Sequence, residues 1–119
     1  MSQKQETNNP IKNFEEKYPE ASAEYKKITK NLYKTLCKKA LDYGPENITL
    51  NLDISKEENK KMSLLGLWFR TNDKINRVKN ILLSGKKPNN ESIEDSWLDM
   101  ANYAIISLMV NRNKWLKNK

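Results

Sequence analysis

The chain has 119 residues, enough for one hydrophobic core and too few for two. Charged residues make up 31% and apolar residues 37%, with three Gly and four Pro, which suits a helical protein better than a turn-rich sandwich or barrel. A net charge of +7 is compatible with a polyanionic partner, whereas the absence of His removes any Ser-His or Cys-His nucleophile pair.

The single cysteine, Cys37, permits no internal disulfide and, with no His, no ordinary structural zinc site. A metal here would have to be a hard cation on oxygen ligands, such as Mg²⁺. No apolar run approaches the roughly 18 residues of a membrane span, and the N-terminus lacks a signal-peptide core. These readings predict a cytoplasmic protein with no membrane partner.

Residues 1–12 are polar and read as a disordered tail, followed by a single helical domain over 13–119. A turn around Phe14 to Tyr18 ends at Pro19. The first long helix is expected from about Glu20 to Tyr43, where Tyr25, Ile28, Leu32, Leu36, Ala40 and Tyr43 recur at helical spacing. Gly44 is placed to terminate it in the left-handed conformation, and Pro45 blocks continuation. Residues 46–54 alternate, with Ile48, Leu50, Leu52 and Ile54 on one side. They predict an extended segment, over the helices or at a subunit edge.

Ser55-Lys-Glu-Glu58 has the form of a capping box opening a second helix to about Leu83. Its expected core face is Leu64, Trp68, Ile75, Val78 and Leu82, and Ser84-Gly85 is the stop. The third helix is expected from Asn89–Asn90 to about Trp115, with Ile93, Trp97, Leu98, Ala101, Ala104, Ile105, Leu108 and Met109 as its apolar side. The fold class predicted is therefore all-α: three main helices and a short extended segment, in a homodimer or higher oligomer.

Two stripes carry the candidate chemistry. Glu91, Asp95 and Asp99 sit four apart, and steps of four advance only about 40° on a helix, so they share one line. Asn102 returns to that arc and Tyr103 borders it. Carboxylates within a largely apolar helix require a cation, a donor or a metal. The three acids are thus candidate metal ligands or partners of basic side chains.

On the second helix, Gly66, Arg70, Asp73, Lys74 and Arg77 fall within about 100° of arc. They offer cations to phosphate or to the acids of the third helix, with Gly66 permitting close approach. The same stripe lies opposite the apolar face, where an amphipathic helix keeps its charges wet; paired subunits would turn it into a site instead. Tyr43 and Asn47 flank the Gly-Pro turn, positioned to stack on a base or bond to its edge.

Taken in order, Asp42-Tyr43-Gly44-Pro45-Glu46-Asn47-Ile48, Gly66-Leu67 with Arg70, Asp73-Lys74-Ile75 and Arg77, then Glu91-Ser-Ile-Glu-Asp95 with Asp99, Asn102 and Tyr103 resemble a known family. It is the phage-enriched domain called nucleotide modification associated domain 1, and the likeness spans about residues 25–110. The resemblance implies phage nucleotide or modified-base metabolism in the host cytoplasm. It also implies signature positions at Asp42, Tyr43, Gly44, Asn47, Arg70, Asp73, Lys74, Arg77, Glu91, Asp95, Asp99, Asn102 and Tyr103. A weaker likeness is to the all-α nucleoside triphosphate pyrophosphatases related to MazG. This chain departs from them in lacking Glu-x-x-Glu near Asp73.

The expected ligand is a nucleotide or nucleotide-derived molecule. Tyr43, Asn47, Arg70, Asp73, Lys74, Arg77, Asn102 and Tyr103 are the candidate binding residues, and Glu91, Asp95 and Asp99 would hold Mg²⁺. The forms open at this point are a binding protein, including an anti-defence sponge for a host immune nucleotide signal; a Mg²⁺-dependent hydrolase or modification enzyme; and a basic DNA-associated protein.

Overall fold

A computed structural model describes residues 9–117, and the tail reading for residues 1–8 lies outside them. Among the described residues there are five helices and no strand. They are α1 (Pro10–Lys17), α2 (Pro19–Tyr43), α3 (Glu46–Thr49), α4 (Glu57–Ser84) and α5 (Ile93–Asn111). The all-α expectation holds, with five helices instead of three. None of them is long and apolar enough to cross a membrane. The chain divides into two compact units, up to Thr35 and from Leu36 onward.

In the first unit, Asn9 caps α1 by accepting the Lys12 amide, and Pro10 at the first helical position needs no donor there. Residues 10–12 are thus helical. Glu15 accepts from the Lys26 ammonium and from Ser22 Oγ at 3.3 Å. The Lys26 contact holds its carboxyl below the usual range.

The second unit is built on α4 packed against α5. Its core joins Ile48, Leu67, Ile106, Val110 and Trp115, with Leu36, Ile54, Leu64 and Tyr103 packed around them. Gly44 ends α2 at φ 72°, and its amide donates to Ala40 O at 2.8 Å, as the sequence predicts. Residues 46–54 are not extended. Glu46–Thr49 form one helical turn, and Leu50 and Asn51 reverse the chain at φ 60° each. A lone strand has no ladder partner, whereas this turn sends Ile48 into the core and has its carbonyls met by side chains. Ser63 Oγ donates to Ile48 O at 2.7 Å and Arg70 Nη2 to Asn47 O at 2.7 Å. Trp115 Nε1 donates to Pro45 O at 3.1 Å.

The cap expected at Ser55 does not form. Its amide and hydroxyl donate to Asp53 Oδ1, which holds that carboxyl below the usual range, and Lys56 stands at the N-cap. The working capping residue is Ser92, whose Oγ accepts the Asp95 amide at 3.1 Å. The third long helix accordingly starts at Ile93, about a turn later than expected.

It also ends earlier, at Asn111. Asn113 is left-handed at φ 57°, and the bonds Lys114 N–H to Met109 O and Asn113 N–H to Val110 O close a Schellman motif. That turn carries Trp115 back into the core. The Lys60 ammonium, from α4, reaches Asn111 O at 3.4 Å, where a cation complements the helix dipole.

The larger correction concerns which faces are inside. Trp68, Ile75 and Leu82, expected in the core, are 57%, 49% and 64% exposed. On α5, Trp97, Ala104, Ile105 and Leu108 are exposed, while Ser96, Asn102, Ile106 and Val110 are buried. Of the first-helix positions expected inside, Tyr25, Ile28 and Tyr43 are likewise exposed. The buried side of α4 and α5 mixes Leu67, Val78, Ile106 and Val110 with the fully buried Ser63 and Ser96, whose hydroxyls are partnered by Ile48 O and Arg77, and with the Lys74–Asp99 pair. Gly66 is not what permits the approach. A Cβ there would meet Leu50 Cδ1 at 3.7 Å, an ordinary contact.

Candidate functional site

A cleft of about 350 Å³ opens in the second unit, within the range of small-ligand sites. Leu36, Ala40, Ile48, Ile106 and Trp115 give it apolar walls. Its polar lining is Lys39, Tyr43, Asn47, Arg70, Asp99, Asn102 and Tyr103, from α2, α3, α4 and α5. Six residues expected at the site from the sequence therefore line one cavity: Tyr43, Asn47, Arg70, Asp99, Asn102 and Tyr103.

Each is held there for a local reason. The Gly44-Pro45 break leaves Tyr43 as the last residue of α2, its ring exposed at the cleft. Arg70 is fixed by one Nη on the Asn47 carbonyl, and its fork has five N–H donors in all. Asn102 is buried on the inner face of α5.

Asp99 is the electrostatic centre. Its side chain is 18% exposed, with Oδ2 at 3.0 Å from the Lys74 ammonium and Oδ1 at 3.4 Å from that of Lys39. Two cations on one carboxylate leave local charge in favour of an anion, with Arg70 adding to it. The expectation that acids of the last helix meet bases of the preceding one holds at this residue.

Lys74 also reaches Glu91 Oε2 at 3.3 Å. The hydrogen bond to Asp99, ahead of the opposing effect of burial and the added pull of Glu91, raises its pKa above 10.5. A cation stabilised in the folded state contributes fully below its unfolded pKa and loses that contribution as pH rises through the folded value. The stability difference between the native chain and Lys74→Met is expected to stay level from neutral pH to about 10.5 and to shrink above it. Urea titrations of both chains across that range check this.

The remaining candidates are placed differently. Arg77 is an internal brace: Nη1 donates to Ser96 Oγ at 2.5 Å and Ser92 O at 3.2 Å, and Nη2 to Glu91 O. Asp73 is exposed and does not line the cleft. Glu91, Asp95 and Asp99 do not gather as a ligand set. Glu91 precedes α5 and, like Asp99, turns to Lys74, while Asp95 is exposed in the first helical turn, where an acid suits the dipole. Among the described residues no three His, Cys, Asp or Glu side chains are placed to share a metal ion.

Lys39 and Trp115 were missing from the candidates. Lys39 shares the helical face of Leu36, Ala40 and Tyr43, a spacing legible in the sequence but hidden among the lysines of α2. The helical spacing runs the last helix to Trp115, whereas Asn113, a residue tolerant of left-handed backbone, stops it sooner.

Residues 68–110 match the family model named nucleotide modification associated domain 1. The match runs from Trp68 through the α4–α5 linker to Val110, so it contains Arg70, Lys74, Arg77, Asp99, Asn102 and Tyr103 but not Tyr43 or Asn47. It is narrower than the likeness drawn over residues 25–110. No curated protein and no solved structure matches the chain significantly. The likeness to the MazG-related pyrophosphatases gains no support from these comparisons.

Proposed function

We propose, from a helical hairpin matching nucleotide modification associated domain 1, that this protein binds a nucleotide or nucleotide-derived phosphate compound in the α2–α5 cleft. What carries the reading is a convergence. The inward side of the matched hairpin delivers Arg70, Asp99 and Asn102 to the same cavity that Lys39, Tyr43 and Asn47 line from outside the match.

In this reading Arg70 and Lys39 take the phosphate, the first by its planar fork and the second as a point charge. Asp99 retains acceptor capacity beyond its two lysines, since an ionised carboxylate has about four lone-pair sites, and takes a sugar hydroxyl or ring amine. Asn102 and Asn47 read a base edge, and the exposed ring of Tyr43 stacks on a base face. Lys74 and Arg77 act by positioning: one holds Asp99, the other the start of α5.

Calorimetric titration of the full chain with nucleoside mono-, di- and triphosphates tests the reading, with mass spectrometry of the recovered ligand. Saturable binding is expected, and Arg70→Ala should weaken it about 10- to 100-fold, the value of one charge-assisted hydrogen bond. Unchanged affinity in that variant would remove the cleft from consideration. A ligand recovered intact supports sequestration, the form suggested by likeness to a phage-enriched domain, whereas a changed ligand supports turnover. Affinity for DNA that collapses with salt while no nucleotide binds would favour the basic, DNA-associated alternative.

A further inference from the structure

The exposed side of α4 has a regular pattern. Leu65, Trp68, Asn72, Ile75, Lys79 and Leu82 are spaced three, four, three, four and three apart, the a and d positions of a heptad repeat. Met62, Phe69 and Leu83 flank them, and all but Asn72 are exposed. This seam lies on the opposite side of the helix from Arg70 and Lys74, so a partner seated on it leaves the cleft open. On α5, Trp97, Ala101, Ala104 and Leu108 continue an apolar stripe at spacings of four, three and four. Trp97, which is 54% exposed, shares an apolar groove with Ile75, Leu82 and Leu83, so the two stripes belong to one face there.

We infer that a second copy of this chain covers that face, with the two α4 helices antiparallel about an axis between Asp73 and Lys74. The pattern is self-complementary in that direction. Leu65 meets the partner's Leu82, Trp68 meets the partner's Lys79, and Asn72 meets the partner's Ile75. The seam carries one charge per chain, Lys79, and no acid. Parallel pairing would set Lys79 against the partner's Lys79, whereas the antiparallel register lays its ammonium on an indole, a cation–π contact.

The area suffices. Three half-exposed rings (Trp68, Phe69 and Trp97), at about 150–250 Å² each when fully buried, together with six aliphatic side chains come to roughly the 800 Å² per partner of a standard interface. Stripes on two helices of each copy then form a four-helix interface, with a polar Asn in the seam fixing register.

Light scattering on the full chain reads the mass directly. Twice 14.0 kDa is expected for the native chain, and 14.0 kDa with retained helical circular dichroism for Ile75→Glu with Leu82→Glu. Register is read by oxidative cross-linking in a Cys37→Ser background. A chain with Asn72→Cys should couple to one with Ile75→Cys far more than to itself. A native chain that stays at 14.0 kDa overturns the inference, as does a dimer indifferent to the two Glu substitutions. Preferential Asn72→Cys self-coupling overturns the antiparallel register. If the double variant unfolds, the cross-linking pattern decides alone.

Discussion

Trp115→Ala is expected to lower the unfolding free energy by about 3–5 kcal/mol, the usual cost of deleting a buried aromatic ring. The indole is 4% exposed, belongs to the same core cluster as Leu67 and Val110, and forms part of the cleft wall. Its N–H donates to Pro45 O, so one side chain both fills the core and fastens the turn that carries Asn47. A domain with about 5–15 kcal/mol of total stability has little margin for such a loss. Trp115→Phe separates the two roles. It keeps most of the buried area and forfeits the hydrogen bond, for about 1–2 kcal/mol. Urea unfolding followed by circular dichroism reads both variants. A cost below about 1 kcal/mol for Trp115→Ala would mean that the segment after the Schellman turn is not part of the core.

The second large effect is expected at Asp99. Breaking a fully buried ion pair costs about 3–5 kcal/mol because the surviving charge is stranded. Asp99 and Lys74 side chains are 18% and 21% exposed, so solvent relieves part of that penalty. Asp99→Ala should therefore cost about 1–3 kcal/mol. The loss should be non-additive with Lys74→Met, whose removal takes away the stranded ammonium. A double-mutant cycle is expected to give a coupling of about 1–2 kcal/mol, and additive losses would show that the pair does not act as a unit. Nucleotide titration of Asp99→Ala adds a separate reading, because loss of the sugar-facing acceptor should weaken nucleosides more than inorganic phosphate.

Much of the helical layout was legible before any coordinates. Gly44-Pro45 and Ser84-Gly85 act locally, through backbone freedom and a missing donor, and both ended their helices where the sequence placed them. The two serine caps show the limit of such signals. Ser55 and Ser92 each precede an acid three residues on, and only Ser92 accepts from the backbone there, since Asp53 claims the Ser55 hydroxyl. With the start of α5 displaced by about a turn, Asp95 became a first-turn acid and only Asp99 remained of the expected buried stripe. The alternation of residues 48–54 misled for a related reason. Period two is a strand signal only when a neighbouring strand can complete the ladder, and Ile48 had a core to enter instead.

The identity of the inward face was not in the periodicity at all. A 3.6-residue period says that a helix has two faces, and the bias of burial says that the apolar one goes inside. In α4 and α5 the inner side carries polar groups beside Leu67, Val78, Ile106 and Val110, because Arg77 meets Ser96 and Lys74 meets Asp99 across the hairpin, while Ser63 donates to the Ile48 carbonyl of α3.

Alone, the order of residues determined that this protein is helical and where two of its three long helices stop, and it named eleven candidate site residues of which six line one cleft. Only the tertiary structure decided that Lys74, Arg77 and Asp99 face inward while Trp68 and Trp97 face outward and Trp115 returns to the core. The physical reason is that burial of polar groups depends on the distance to their partners, and those partners lie on other elements, up to 70 positions away in the chain.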